Sequence, residues 1–233
     1  MTDDARTAPR GVGVVVVAAG SGTRLGAGMP KAFVPLAGRP LLGWALDTVA
    51  RVPGLRSVVV VAPSGLADTG APAWAGVTLP EGAVVVPGGA ERTDSVAAGL
   101  AALDPACDVV LVHDAARCLA PVAVFVRVVD AVRAGAAGVV PGVAVVDTVK
   151  TVDARGVVTG TPDRATLRAV QTPQGFRREV LEAAHAGGAG ATDDAALVEQ
   201  LGHDVLVVDG DPRSFKVTTV DDLAHAERLL AGA

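Results

Sequence analysis

Short apolar runs rich in valine are the feature that most constrains how this chain can fold. The residues at 14–17, 58–61 and 109–112 form three such runs, and each is far shorter than the ~20 apolar residues that a membrane-spanning helix needs. Runs that are apolar at every position indicate strands buried on both faces, which is typical of a parallel sheet covered by helices. We therefore expect an α/β protein with no membrane partner.

The signals for helices and turns between these runs follow a repeating β-α order. We predict strands at about 12–19, 57–62, 84–86, 108–112, 167–171 and 204–208, and helices at about 40–52, 94–103, 122–134, 178–185, 193–201 and from 220 onward. This order implies right-handed crossovers and a three-layer, Rossmann-like architecture: a mostly parallel twisted sheet with helices on both faces. The length of 233 residues fits one domain spanning 1–233.

The pattern changes after Pro141. Polar and apolar side chains alternate over 143–158, and a turn is predicted at 153–156. We predict a β-ribbon arm at about 142–160 that projects from the sheet. Because a two-stranded ribbon is barely stable alone, this arm needs a partner to cover it.

Charge excludes one class of partner and draws attention to one residue type. The formal net charge is -5 and no long basic run exists, so we expect no nucleic-acid partner. Of 20 basic residues only Lys31, Lys150 and Lys216 are lysines. Either composition bias spared them, or one or more of these sites needs a compact positive charge.

The cysteines and the N-terminus bear on localisation. Cys107 and Cys118 lack the spacing of metal ligands, and we expect both to be reduced in a cytoplasmic protein. The cationic N-terminus, with its apolar run and small residues, also resembles a secretory signal peptide. Asp3, Asp4 and the glycine-rich continuation argue against that interpretation.

A glycine-rich loop at 20–31 directly follows the first strand, and such loops let backbone N–H groups approach a phosphate. The P-loop pattern is absent, since no Gly-Lys-Ser/Thr occurs, and the dinucleotide pattern fails because Leu25 replaces its third glycine. The glycine spacing of short-chain dehydrogenases is present. Pro30 would interrupt their helix, however, and the chain has no tyrosine to act as their catalytic residue.

Two cations remain on this loop, Arg24 and Lys31. Folded over a triphosphate, they could offset the charge that develops at the α-phosphorus and on departing pyrophosphate. The alternative is a mobile loop that carries two solvated charges.

Motifs spread in order along nearly the whole chain resemble those of the 2-C-methyl-D-erythritol 4-phosphate cytidylyltransferase family. The matching segments lie at 18–24, 30–31, 88–96, 113–117, 147–148, 163–164, 172–174, 192–194 and 216–218. Cys118 departs from the family, which commonly has proline at this position. The length is similar to that of a stand-alone enzyme, so we expect a protein without the cyclase domain that is fused to it in some bacteria.

The resemblance implies transfer of CMP from CTP to 2-C-methyl-D-erythritol 4-phosphate, with release of pyrophosphate, in non-mevalonate isoprenoid synthesis. It implies that the catalytic residues are Arg24, Lys31 and Lys216. The nucleotide-binding residues that it implies are Ala18, Ala19, Gly20, Gly22, Arg24, Lys31, Gly89 and Ser95. The substrate-binding residues that it implies are Asp114, Arg117, Thr148, Arg164, Thr172, Thr192 and Lys216. For Ser95, a hydroxyl that only bonds the helix backbone is the alternative.

Asp114 is the candidate metal ligand. It follows the carboxyl end of a predicted parallel strand, where open α/β sheets bind ligands, and a carboxylate there suits Mg²⁺ or another divalent cation. The alternative is an aspartate that caps the next turn. We expect neighbouring His113 to point into the fold. Asp209 and Asp211 could also reach the metal, although turn roles are favoured.

The resemblance also implies a symmetric homodimer. In the family the arm clasps a second subunit, and the threonine at the position of Thr148 completes the neighbouring site. Lys150 on the same arm is more simply an exposed charge.

Three other functions stay open. A relative of the same fold could use ribitol 5-phosphate as acceptor, a non-catalytic module could bind nucleotide without releasing pyrophosphate, and a transferase could use a purine nucleotide.

Overall fold

The valine-rich runs form the centre of one mixed sheet. The computed structural model describes residues 11–20, 22, 25–26, 28–187 and 191–232. Strand β1 (Gly11–Val17) pairs in parallel with β4 (Leu55–Ala62) on one side and β6 (Cys107–Asp114) on the other, and β5 (Val84–Pro87) continues the parallel pairing beyond β4. Side chains of the three runs are almost completely buried, except that of Val17, which is partly buried. The predicted parallel sheet is confirmed.

The other half of the sheet mixes strand directions. Strand β7 (Gly138–Ala144) is parallel to β12 (Val205–Asp209) and antiparallel to β10 (Arg168–Val170), whereas β11 (Gln174–Arg177) runs antiparallel between β6 and β7. Strands β7 and β11 were not among the predicted strands. The four residues of β11 show no apolar periodicity that could reveal this strand, because its buried Gln174 is polar. The Gln174 amide donates a hydrogen bond to Asp193 in another loop.

Helices cover both faces of the sheet, as predicted. They are α1 (Leu41–Val49), α2 (Arg92–Ala102), α3 (Val122–Arg133), α4 (Arg178–Ala186), α5 (Asp194–Gln200) and α6 (Val220–Ala231). Val14 packs in a cluster that holds residues of α1 and α3, while its neighbour Val15 packs in a second cluster with residues of α2, α4 and α5. Because adjacent side chains of a strand point to opposite faces, these clusters lie on opposite sides of the sheet. None of the described helices is long and apolar enough to cross a membrane.

Helix α2 begins two residues before its predicted start. Glu91 and Asp94 form a capping box, in which each side chain accepts a hydrogen bond from the backbone N–H of the other residue. Reciprocal capping satisfies two N–H groups that the first turn otherwise leaves unpaired. Arg92 is therefore the first residue of the helix.

The segment predicted as an arm contains a smaller ribbon. Residues 142–144 belong to β7 of the main sheet, whereas β8 (Thr151–Val152) and β9 (Val158–Gly160) form a separate two-stranded hairpin. The Asp153 carboxylate accepts hydrogen bonds from the N–H groups of Arg155 and Val157 and so shapes the turn. Five valines of this segment are exposed: Val146, at 78 %, and Val149, Val152, Val157 and Val158. A short second hairpin joins β2 (Pro35–Leu36) to β3 (Arg39–Pro40).

Candidate active site

A cavity of about 400 Å³ opens at the carboxyl edge of the parallel strands. Because β1, β4, β5 and β6 are parallel, the loops that follow them meet at this edge, which is where open α/β sheets bind ligands. The lining residues come from the loops after β1, β5 and β6, from the start of α2 and from the segment before α6: Val17, Ala18, Ala19, Gly20, Lys31, Ala32, Gly89, Ala90, Glu91, Arg92, Ser95, Asp114, Ala116 and Lys216.

Glycines let these loops approach one another. A Cβ atom on Gly88 would lie 2.5 Å from Cβ of Ala19, and one on Gly22, whose φ is +67°, would lie 2.5 Å from Cβ of Lys31. The Lys31 N–H donates to the Gly20 carbonyl at 3.3 Å. The loop thus folds back on itself and brings Lys31 to the cavity wall.

The structure gathers most of the nucleotide-binding residues that the sequence predicted. Gly22 does not line the cavity but lies against Lys31. Arg24 lies outside the described residues. The residues that line the cavity are Ala18, Ala19, Gly20, Lys31, Gly89 and Ser95.

Ser95 lines the cavity and makes the backbone bonds of its alternative role, while its contact with a nucleotide stays a prediction. Its Oγ lies at the cavity, accepts the Gly89 N–H at 3.2 Å and donates to the Glu91 carbonyl at 3.1 Å. The hydroxyl therefore holds the turn between β5 and α2.

Asp114 is the most strongly perturbed carboxylate of the cavity. Lys216 Nζ lies 2.7 Å from its Oδ2, and Arg92 Nε lies 3.6 Å from its Oδ1. Burial opposes ionisation of Asp114, but the charges of Lys216 and Arg92 outweigh it and lower the pKa of this carboxyl to about 2. Asp114 is therefore ionised at neutral pH.

Arg92 is a cavity residue to which the sequence analysis gave no role. Its Nη1 lies 2.7 Å from Oδ2 of Asp194, which comes from α5. Burial lowers the pKa of Arg92, but attraction to Asp194 and Asp114 is stronger and the pKa is raised. One signal was available, because this arginine stands three residues after the Gly88-Gly89 pair inside a matching motif.

Three residues next to the cavity, but outside its lining, hold the end of β6 in place: His113, Thr172 and Arg117. His113 is fully buried, as predicted, and burial lowers its pKa to about 4. Thr172 is also buried, and its Oγ1 lies 3.1 Å from His113 Nδ1 and accepts the Asp114 N–H at 3.0 Å. Arg117 donates to the carbonyls of Ser214 and Val170, so it ties the loop that carries Lys216 to the end of β6.

Three other residues predicted to bind the acceptor do not line the cavity in this chain. Thr148, Arg164 and Thr192 are exposed, and Arg164 donates to the Val146 carbonyl at 2.6 Å. Their role in binding stays a prediction.

Three residues left undecided have local partners. Asp211 caps a short 3-10 turn and pairs with Arg213, and the Asp209 carbonyl accepts from Arg127. Lys150 donates to Thr161 Oγ1 at 2.7 Å on the exposed segment. None of these groups lines the cavity.

Comparison with known proteins decides the family. The family profile described as IspD, 2-C-methyl-D-erythritol 4-phosphate cytidylyltransferase, matches residues 12–232. The chain belongs to this family. The predicted resemblance is confirmed, and so is the predicted class of enzyme, a nucleotidyltransferase.

Relatives and solved structures agree along the full chain. A 2-C-methyl-D-erythritol 4-phosphate cytidylyltransferase of Nocardia farcinica is 54 % identical over 93 % of this chain and 92 % of that protein. A bifunctional IspD/IspF enzyme of Clavibacter michiganensis is also 54 % identical and matches 99 % of this chain over 57 % of its own length. The crystal structure of the Thermus thermophilus cytidylyltransferase is 35 % identical, with a TM-score of 0.76 over 95 % of this chain and 99 % of that one.

Proposed function

We propose that this protein transfers CMP from CTP to 2-C-methyl-D-erythritol 4-phosphate and releases pyrophosphate, with the 400 Å³ cavity as its CTP site. The observation that carries the proposal is the convergence of Lys31, Arg92, Lys216 and Asp114 on a glycine-lined cavity at the carboxyl edge of the sheet, in a chain that belongs to this family. Three cations and two carboxylates line the cavity, and this surplus of positive charge suits a polyphosphate better than a neutral ligand.

The reaction needs positioning and charge neutralisation more than acid–base chemistry. An oxygen of the acceptor phosphate attacks the α-phosphorus of CTP, the bond from that phosphorus to the bridging oxygen breaks, and pyrophosphate leaves with the electron pair. The acceptor phosphate is already anionic at neutral pH, so no side chain has to activate it. Lys31, Lys216 and Arg24 would hold two anions together and offset the charge that develops between them.

Backbone groups at 18–20 and 89 would select the base. Cytosine offers an amino donor where uracil offers a carbonyl, so C=O and N–H groups fixed for one base are left unpaired by the other. The Ser95 hydroxyl bond to Gly89 fixes one wall of this subsite.

The acceptor would bind between subunits. Arg117, Thr148, Arg164, Thr172 and Thr192 are the proposed contacts, together with Lys216. Thr148 and Arg164 lie on an exposed segment away from the cavity. Its exposed valines favour a homodimer in which this segment covers, and is covered by, a second copy.

The cavity fits a divalent cation that the substrate helps to hold. Among the described residues no three His, Cys, Asp or Glu side chains converge on a possible metal position. Mg²⁺ is usually bound through one or two carboxylates together with substrate phosphates and water. The ionised Asp114 supplies one such carboxylate, and bound Mg²⁺ would neutralise phosphate charge there.

Pyrophosphate release tests the proposal. The purified protein is supplied with Mg²⁺, with each of the four ribonucleoside triphosphates, and with either methylerythritol phosphate or ribitol 5-phosphate. Release only with CTP and methylerythritol phosphate is expected. Release with ribitol 5-phosphate alone, release with purine nucleotides, or CTP binding without turnover would each overturn the proposal in favour of one of the alternative functions.

Variants locate the reaction in the cavity. Lys31→Ala is expected to lower kcat by about 10²–10³, the usual effect of removing a group that stabilises developing charge. Arg56→Ala is the matched control, because Arg56 is a half-exposed cation paired with Asp104 and does not line the cavity. Equal rates for the two variants would move the site elsewhere.

A further inference from the structure

A line of paired side chains runs from the cavity wall into the protein interior, from Arg92 of α2 through Asp194 of α5 to His185 of α4. We propose that Asp194 and His185 are positioning residues that fix the guanidinium of Arg92 at the active site, and that Arg92 contacts the phosphates of the bound nucleotide. The proposal rests on the proposed function, because it assigns residues to the site where CTP would react.

Asp194 is the buried anchor of this line. Its side chain is 0 % exposed, its Oδ2 lies 2.7 Å from Arg92 Nη1, and its Oδ1 lies 3.0 Å from His185 Nε2. Each carboxylate oxygen therefore has a side-chain partner. An ionised carboxylate inside a protein is costly unless it is paired and hydrogen-bonded. Asp194 thus holds Arg92 strongly, and His185 holds Asp194.

Arg92 carries the effect to the cavity. Its side chain is 27 % exposed and lines the cavity. While Nη1 bonds Asp194, Nε lies 3.6 Å from Asp114 Oδ1. Because the guanidinium is a rigid planar fork, fixing one of its nitrogens fixes the direction of the others.

By holding Arg92, Asp194 also sets how closely Arg92 and Lys216 each approach the Asp114 carboxylate. Lys216 approaches that carboxylate to 2.7 Å and Arg92 only to 3.6 Å. Without Asp194, Arg92 would move onto the nearest remaining carboxylate, which is Asp114. That shift would misplace two groups at once: the guanidinium, and the carboxylate proposed to hold a cation.

A purely structural role is the alternative, in which Asp194 only joins α5 to α2 and α4. The two roles differ in what they do to turnover. A structural role lowers the melting temperature and leaves the kcat of folded enzyme unchanged, whereas a positioning role lowers that kcat.

The first test is a double-mutant cycle on the full-length enzyme with CTP, methylerythritol phosphate and Mg²⁺. We expect Asp194→Asn to lower kcat by about 10- to 100-fold, the usual effect of removing a partner that orients an active-site group. We expect Arg92→Ala to lower it by about 10²-fold or more. In the Arg92→Ala background, Asp194→Asn should cause no further loss, since its effect passes through Arg92. Independent, multiplying losses would overturn the proposal.

His185 gives a milder variant in case Asp194→Asn does not fold. His185→Gln keeps an N–H donor for the carboxylate and should retain kcat, whereas His185→Ala should lower it. Glu182→Gln is the matched control on the same helix, because Glu182 pairs with Arg178 and lies outside the cavity. Equal kcat for His185→Ala and wild type would contradict the positioning role.

Chemical rescue separates positioning from folding. Added guanidinium should restore part of the activity of Arg92→Ala, because the Asp194 carboxylate can hold the free cation where the side chain was. It should not restore the Arg92→Ala/Asp194→Asn double variant. Equal rescue of both, or of neither, would overturn the proposal. An inactive wild-type protein would instead refute the proposed function, so the two failures are distinguishable.

Discussion

The parallel half of the sheet buries its apolar side chains, whereas the segment 145–170 leaves most of its valines exposed. Strands β1, β4 and β6 bury their valines between two layers of helices from the same chain. The segment 145–170 exposes all its valines except Val145 and contributes only β10 to the main sheet. The parallel strands, whose apolar side chains are buried within the chain, carry the cavity. The segment 145–170, whose valines are exposed, carries Thr148 and Arg164. We infer that the nucleotide site is built within one chain and that the acceptor site depends on a second copy.

Stability should differ most between the two regions. Phe125, fully buried on α3, should cost about 3–5 kcal/mol of unfolding free energy when replaced by alanine. Val157→Ala, on the exposed hairpin turn, should change it by less than about 0.5 kcal/mol at protein concentrations low enough to favour monomer. Urea unfolding measures both. A large cost for Val157→Ala under those conditions would remove the distinction between the regions.

Catalysis should separate the regions in a second way. Lys216→Ala removes a cation of the cavity and should lower kcat by about 10²–10³ without changing the oligomeric state. Thr148→Ala on the exposed segment should mainly raise KM for the acceptor and leave KM for CTP unchanged. Steady-state kinetics with each substrate varied in turn would show this. A raised KM for CTP in Thr148→Ala would mean that the nucleotide site also needs the segment.

The pH dependence of stability offers a third contrast. Asp114 has a pKa of about 2 in the folded protein and a normal, higher pKa when unfolded. Its ionised form therefore favours folding at pH above about 4, by about 2 kcal/mol. This contribution falls as the pH decreases from about 4 to about 2.

Asp114→Asn should flatten the stability profile in that pH window. Asp153 lies on the hairpin turn, and the hydrogen bond from the Val157 N–H is the main cause of its lowered pKa. Replacing Asp153 with asparagine should change the stability profile less than Asp114→Asn does. Thermal melts between pH 2 and 5 test both variants. Identical profiles for Asp114→Asn and wild type would show that the buried ion pair contributes no pH-dependent stability.

The smallest effect concerns association. Replacing Val152 and Val158, both exposed on the hairpin, with aspartate should raise the dimer dissociation constant at least about tenfold, which is about 1.4 kcal/mol. Analytical ultracentrifugation measures it, and Glu199→Gln, an exposed change on α5, is the control. A wild-type protein that is monomeric at all concentrations would contradict the proposed dimer.

Local patterns in the sequence located the parallel strands and the cavity. The valine runs predicted β1, β4 and β6, and the position of Asp114 just after an apolar run predicted its place at the sheet edge. These inferences succeeded because strand burial and loop position depend on neighbouring residues. Glycines at 20, 22 and 89 likewise have local signatures.

Long-range pairing could not be read in the same way. Arg92 and Asp194 are 102 residues apart in sequence, as are Asp114 and Lys216. Strand β11 was missed because the burial of Gln174 depends on a bond to Asp193 in another loop. Which charges meet across such distances follows from how elements far apart in the sequence pack together, and the pattern of neighbouring residues does not show it.

The Lys216 ammonium cannot fully neutralise both the Asp114 carboxylate and the phosphate of an incoming nucleotide. Under the proposed function, nucleotide entry would exchange one counter-ion for another: the lysine would turn toward the incoming anion, and the carboxylate would become available to a cation that accompanies it. Asp114 would thus hold the Lys216 amine at the cavity wall until the nucleotide binds.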